Sequence, residues 1–403
     1  MAQTLVKIQQ ETEAEQLKRA FVKVMLAVAK QIPQTPTQEL IARLAPAIPH
    51  LELLSREMIE DIPNPGEDSN LGLALTGIAR FYKGQGLYAL ALEPYERCLS
   101  SVEKILGADH PDTATSLNNL AGLYLDMGSY SEAELLFIRS LHISETQLGA
   151  DHLDTASSLN NLAELYRTIG RYSDAELLFI RSLHIMKTQL GADHLLTATS
   201  LNNLAALYLD MGWYSKAELL FIRSLHIIET QLGADHLNIA SSLNNLAELY
   251  RTMGWYSKAE PLFMRSLHIM ETQLGANHPH TAQSLNNLAT LYESMGRYSN
   301  AETLYRRSLH IRETQLGADH PHTAQSLNNL AALYESMKRY SDSETLYLRT
   351  LEILTKSLGE DHPNTQTAWG NFRHLLQQAL TNGSTDSFSP HPITQQLLQE
   401  LGE

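Results

Sequence analysis

The stretch Ser116-Leu117-Asn118-Asn119-Leu120-Ala121 decides the fold of this chain, because it returns five more times. The copies begin at Ser158, Ser200, Ser242, Ser284 and Ser326, each 42 residues after the last. Self-similarity at a fixed period of roughly 20–50 residues marks a repeat architecture, in which each unit packs on its neighbours. Within the first copy, Leu117, Leu120, Ala121 and Tyr124 fall at i, i+3, i+4 and i+7. That is one apolar stripe on a helix, here helix A. Gly128 breaks the pattern. Ala133, Phe137, Ser140 and Leu141 then make a second stripe, on helix B. Gly149 is read as the end of helix B, where a left-handed cap suits glycine. A proline follows His110, His278, His320 and His362, where helix A should begin and where proline is tolerated. Leu153, Leu195 and Leu237 fill that place elsewhere. Ala121 and Ala133 let the two helices approach closely, and Tyr124 and Phe137 fill the space between neighbouring repeats. The expected fold is all-α, a right-handed α-solenoid of helix pairs.

The bulk numbers narrow the function classes. The chain has 403 residues and a formal charge of −15, with 45 acidic against 30 basic residues. Such a surface disfavours nucleic-acid phosphates and anionic membranes, both of which need clustered Lys and Arg. The single cysteine, Cys98, can form neither an internal disulfide nor a cysteine-based zinc site. It falls in a slot filled elsewhere by Ser140, Ser182, Ser224, Ser266, Ser308 and Thr350, and reads as a small buried residue. Lys7, Glu11, Glu13 and Glu15 leave no secretory apolar core near the N-terminus. No apolar run approaches the ~18 residues of a membrane span. The expectation is a soluble, cytoplasmic protein.

Three parts are expected. Residues 69–381 carry seven repeats of 42 residues and a capping helix. The first repeat, Ala74 to Thr115, is degenerate, with Leu75, Thr76, Gly77 and Ile78 in place of Leu-Asn-Asn-Leu. After the last full repeat, Trp369, Phe372, Leu375 and Leu376 mark one more helix. Arg373 replaces its small alanine, so no helix B can pack closely on it. Residues 1–68 lack the period. Leu17, Ala20, Phe21, Val24, Met25 and Val28 outline an amphipathic helix there. Thr35, Pro36 and Gln38 read as the cap and first turn of the next. That helix runs to about Leu44, is interrupted by Pro46 and Pro49, and is followed by another to about Ile62. Pro63, Asn64, Pro65 and Gly66 then form a turn-rich linker. Residues 382–403 open with linker composition and read as a flexible tail that holds at most a short, frayed helix.

The order Leu117, Leu120, Ala121, Tyr124, Gly128, Tyr130, Ala133, Phe137, Leu141 resembles the tetratricopeptide repeat. The extra length, in Glu145–His152, resembles the long repeats of kinesin light chains and their bacterial relatives. Residues 1–68 have their own likeness. Phe21-Val-Lys-Val-Met, Ile32-Pro-Gln-Thr-Pro-Thr and Ala47-Ile-Pro-His-Leu are similar to a joining segment of cyanobacterial signalling proteins. In those, an NB-ARC-type ATPase precedes long tetratricopeptide repeats. No phosphate-loop motif exists in this chain, so it resembles the sensor part without the ATPase.

The asparagine pairs are the leading candidate site. Counting 100° per residue, the first of each pair lies opposite the stripe that meets helix B. These are Asn118, Asn160, Asn202, Asn244, Asn286 and Asn328. An amide both donates and accepts, so a ladder of them suits an extended peptide backbone. The kinesin-light-chain resemblance implies the same use. The competing reading is that both asparagines tie adjacent helices together. The same face carries Leu125 and Leu209 as apolar anchors and Arg167 and Arg251 as its basic groups. The recurring histidines are one repeat apart, roughly 8–10 Å for packed helices, too far to share a metal. The Asp-His pairs are instead expected to organise the turn before helix A. No catalytic motif appears, and no cofactor is implied.

The leading expectation is a non-enzymatic scaffold that binds a protein or extended peptide in the concave groove, in bacterial signalling or complex assembly. The alternative is the sensor half of a nucleotide-driven switch that acts with a separate ATPase. A true kinesin light chain would need a long heptad coiled coil, for which the ~30 residues before the first proline are too few.

Overall fold

The computed structural model describes residues 2–33, 36–57, 72–385 and 388–402, with side chains from residue 13 onward. Helix is the only regular secondary structure among the described residues, with no strand. They form two compact units, Met1–Ala150 and Asp151–Glu403. The non-repeating N-terminal helices share a core with the first helix of the first repeat.

The first unit contains α1 (Ala2–Lys30), α2 (Gln38–Leu44), α3 (Ile48–Glu57), α4 (Leu73–Lys83), α5 (Tyr88–Leu106), α6 (Pro111–Asp126) and α7 (Tyr130–Gln147). Helices α4/α5 and α6/α7 are A/B pairs. Helices α1 and α3 pack on α4 through Val22, Met25, Leu26, Ala29, Leu51, Leu54, Ala74 and Ile78. The buried side of α1 therefore differs from the stripe read in the sequence: Leu17 is 72% and Val24 55% exposed. Gly77 explains why the first repeat is degenerate. A Cβ on Gly77 would lie 2.9 Å from the Ala29 Cβ, so the second asparagine of the motif has no room where α1 docks. Helix α2 starts after Thr37, whose hydroxyl accepts from the Leu40 amide at 3.3 Å. Thr37, not Thr35, is thus the cap. Thr35 itself, the linker at Pro63–Gly66 and the end of the following helix lie outside the described residues.

The second unit holds five A/B pairs, an eighth A-type helix and a terminal helix. These are α8 (Leu153–Thr168), α9 (Tyr172–Leu190), α10 (Leu195–Asp210), α11 (Tyr214–Leu232), α12 (Leu237–Thr252), α13 (Tyr256–Leu274), α14 (Pro279–Ser294), α15 (Tyr298–Gln315), α16 (Pro321–Ser336), α17 (Tyr340–Leu358), α18 (Pro363–Thr381) and α19 (Pro392–Gly402). Within this unit each helix from α9 to α18 packs on the one before it and the one after it, as a solenoid requires.

The repeat chemistry recurs within each pair. The alanines that face each other, such as Ala163 and Ala175, are fully buried. The Ser182 hydroxyl donates to the Ala156 carbonyl at 2.8 Å, as Ser224 does to Ala198 and Ser266 to Ala240. This ties helix B to helix A and leaves no buried hydroxyl unsatisfied there. Cys98 occupies this slot in the first unit and is buried. Its larger sulfur fits because Gly72 stands where later repeats have alanine; a Cβ there would lie 2.6 Å from Cys98 Sγ. Neighbouring repeats are joined by Tyr208 and Tyr250, whose hydroxyls donate to Glu176 at 2.9 Å and Glu218 at 2.8 Å on the preceding B helix. Arg265, Arg307 and Arg349 reach Glu229, Glu271 and Glu313 on successive B helices at 2.7–2.8 Å. These ion pairs are solvent-accessible, so each adds little beyond register.

The left-handed cap lies at the end of helix A. Gly170 has φ +78°, and the next amide, Arg171, donates to the Tyr166 carbonyl at 2.8 Å. The glycine that ends helix B is different. Gly191 has φ +97° and ψ 162°, a region open essentially to glycine alone, rather than the left-handed helical cap expected at Gly149 and its equivalents.

The C-terminal segment is docked, where the sequence suggested a flexible tail. Leu397 joins the core built by Phe372, Leu375 and Leu376. The Glu344 carboxylate, 1% exposed, accepts from the Ser389 amide at 2.8 Å and from the Ser389 and Thr394 hydroxyls at 2.6 Å. A buried carboxylate must be satisfied, and here the tail supplies the donors.

Candidate functional site

Helix A begins at a histidine. In the second unit the Nδ1 atoms of His152, His194, His236, His278, His320 and His362 accept from the amide two residues on, at 3.0–3.2 Å. His110 does the same in the first unit. Each histidine is therefore an N-cap, and an accepting Nδ1 requires a neutral ring. The histidine of each recurring pair thus organises this turn. Burial, and then the neighbouring His280, lower the pKa of His278. Among the described residues no group of three or more His, Cys, Asp or Glu is arranged to hold a metal.

The asparagine pair divides its labour. In the second unit the first asparagine lies along the edge where successive A helices meet. Asn286 is 2% exposed, and its amide donates to Ser326 Oγ on the next A helix at 3.2 Å. Asn244 does the same to Ser284 at 3.4 Å. Asn328 Oδ1 accepts from Asn371 on α18 at 3.0 Å. The carbonyl oxygens of Asn160, Asn202, Asn244 and Asn286 are buried, with no hydrogen-bond partner. Asn118 is half-buried in the first unit. The angular count considered only helix B, whereas an A helix in an array also has another A helix beside it. The second asparagine is exposed at Asn161, while Asn203, Asn245, Asn287 and Asn329 are half-buried and Asn287 Oδ1 accepts from Gln283 at 2.9 Å. With Ser157, Glu164 and Thr168, Asn161 forms one outward row on α8, spaced i, i+4, i+7, i+11.

The two arginines are engaged within the chain. Arg167 binds Glu164 through Nε at 2.9 Å and Nη2 at 2.6 Å, and Asp210 on α10 at 2.5 Å. The bond from Glu164 leads in raising its pKa. Arg251 grips Glu248 in the same two-pronged way and reaches Ser294 on α14 at 3.2 Å. Leu209, like Leu125 in the first unit, is half-buried rather than laid bare. In later repeats the same slot holds Glu293 and Glu335. Their partners are hydroxyls of Tyr305 at 3.1 Å and Tyr347 at 3.3 Å, which stand where earlier repeats have phenylalanine. Burial raises the pKa of Glu293. Glu335 also meets His374 at 2.7 Å. The sequence signal for this pair was the joint change of Leu or Arg to Glu and Phe to Tyr in consecutive copies.

The profile of the tetratricopeptide repeat matches residues 70–146, 124–188, 196–272, 238–314, 280–356 and 322–372. The chain belongs to the tetratricopeptide repeat family. Its tetratricopeptide fold is shared with several solved structures. A Rap protein complexed with Competence and Sporulation Factor is 18% identical, covers 89% of this chain and 99% of its own, and has a TM-score of 0.51. A signal-transduction ATPase with a tetratricopeptide repeat sensor, from Pyrococcus horikoshii, is 14% identical over 90% of this chain and 52% of its own, with a TM-score of 0.50. Nearly identical repeats of a kinesin light chain from Podosopora anserina are 25% identical over 51% of this chain and 96% of their own, at a TM-score of 0.43. No curated protein matches this tetratricopeptide chain. None of its helices among the described residues is long and apolar enough to cross a membrane.

Proposed function

We propose that this chain is a non-enzymatic scaffold, cytoplasmic and bacterial, that holds an extended segment of a partner protein on the open face of its A helices. The observation that carries the reading is the column of second asparagines on successive A helices of the second unit, Asn161 exposed and Asn203, Asn245, Asn287 and Asn329 half-buried. One amide per repeat offers a donor and an acceptor at regular intervals, which matches the backbone of an extended chain. The first asparagines, Leu209 and the two engaged arginines form the wall beside that row. The absence of a catalytic motif in the sequence supports a binding role. The likeness to a Rap protein and to an ATPase sensor supplies the fold and is consistent with a place in signalling.

The test begins with capture of partners by the whole chain and mapping of the bound segment by cross-linking. Asn203→Ala with Asn245→Ala should then weaken that segment ~10–30-fold, at about 1 kcal/mol per amide, with the melting temperature unchanged. Asn202→Ala with Asn244→Ala should instead act mainly on stability, because those amides sit between helices. Unchanged affinity in the first double mutant would sink the proposal.

A further inference from the structure

The seam between α18 and α19 is built differently from the A–B seams before it. Helix α18 is the A helix of an eighth repeat, and three of its slots are changed. Trp369 stands where α16 has Leu327, Gly370 where it has Asn328, and Arg373 where it has Ala331. The facing alanines elsewhere let A and B touch; a guanidinium side chain in that slot holds the next helix away. The space beside Gly370 is open, since a Cβ there would meet nothing within 4 Å. The outcome is a cleft of about 370 Å³, lined among others by Trp369, Gly370, Arg373, Ile393, Leu397 and Glu400. That is the lower end of the range for small-molecule sites, roughly 300–1,000 Å³.

The lining is chemically sorted. Trp369, Ile393 and Leu397 belong to the C-terminal core and give the cleft an apolar floor. Arg373 is exposed and takes part in no hydrogen bond or ion pair among the described residues. Glu400, on the other wall, accepts from Gln396 Nε2 at 2.9 Å. The cation and the anion thus line one cleft without pairing with each other. A ligand with a single charge would leave one of them without a counter-charge. A molecule with both charges and an apolar body satisfies the whole lining.

We propose that this cleft binds a free α-amino acid with an apolar side chain. Its carboxylate would meet Arg373, its ammonium Glu400, and its side chain the face of Trp369 and Leu397. This site lies between α18 and α19 and does not rest on the scaffold reading. The ligand would also bridge α18 and α19 and so stabilise the docked end of the chain.

The experiment is calorimetric titration of the full chain with L-phenylalanine and L-leucine. The single-charge controls are 3-phenylpropionate, which lacks the ammonium, and phenethylamine, which lacks the carboxylate. Saturable binding of the amino acids is expected, with a raised melting temperature and each control weaker by about tenfold or more. Arg373→Gln should weaken L-phenylalanine by about tenfold. Glu400→Gln should weaken L-phenylalanine but leave 3-phenylpropionate unchanged, a split that general loosening of α19 cannot imitate. Both side chains are exposed, so the variants should melt like the parent without ligand. Three results would overturn the proposal: no saturable binding of either amino acid at ~10 mM, binding indifferent to Arg373→Gln, or 3-phenylpropionate as tight as L-phenylalanine.

Discussion

Lys338 carries the only positive φ of a non-glycine residue among the described residues, +60°. It stands in the slot held by Gly170, Gly212, Gly254 and Gly296 in the other repeats of the second unit, where the left-handed cap is needed. Relief of that strain predicts that Lys338→Gly raises stability by ~0.5–1 kcal/mol, read by denaturant titration. Arg312 is a second local anomaly. It is 3% exposed, in a slot that holds Met186, Ile228, Met270 and Leu354 elsewhere. Its guanidinium donates to the His322 carbonyl at 2.7 Å and to Gln283 and Gln325 at 2.5 and 3.1 Å, so no carboxylate offsets the charge. Burial pushes its pKa down to about 10. Arg312→Met should stabilise by ~1–4 kcal/mol, and a fall in melting temperature would contradict that. His278 gives a pH dependence. Its folded pKa lies below the ordinary 6.5, so its neutral form is favoured by folding. That contribution is complete above pH ~6.5 and is lost as pH falls through the lowered value. Stability measured at pH 7.5 and 5.5 should drop more in the parent than in His278→Asn, whose cap does not titrate.

At the scale of elements, the two ends of the chain behave as packed parts. Gly77 admits α1, and Gly77→Ala should cost ~1–3 kcal/mol, because its methyl would meet the Ala29 Cβ and backbone. At the other end, Glu344 makes α19 and its preceding loop structural. Truncation after Thr381 removes every donor from a carboxylate that is 1% exposed and bares the apolar side of α18. A loss of about 3–5 kcal/mol is expected. Glu344→Gln should be harmful in the full chain yet beneficial in the truncated one; additive effects would show that the two are not coupled. The linker-like composition of residues 382–385 concealed this, since the burial depends on a carboxylate far away in sequence.

For the molecule as a whole, a stack of units fails locally rather than at once. Phe179, Phe221 and Phe263 are at most 1% exposed and fill equivalent places in successive pairs. Phe221→Ala should remove ~3–5 kcal/mol from its own repeat and its neighbours. Because each pair contacts only adjacent pairs, calorimetry should resolve the variant into two transitions, while a single cooperative shift of the whole curve would argue against a one-dimensional array.

The period of 42 residues determined, without any coordinates, that A and B helices alternate, where each begins and ends, and which alanines and aromatics face inward. Those features follow from short-range backbone geometry and from stripes that each helix carries in its own sequence. Tertiary structure alone decided which of two competing stripes α1 buries, since Val22, Met25, Leu26 and Ala29 satisfy the helical spacing as well as the set containing Leu17 and Val24. It also decided that Asn244 and Asn286 donate to serines of a neighbouring A helix, that Arg167 and Arg251 spend their charge on nearby carboxylates, and that the tail docks on Glu344. Each of these depends on which surface arrives beside a residue, and that is fixed by contacts between segments whose own local patterns do not mention one another.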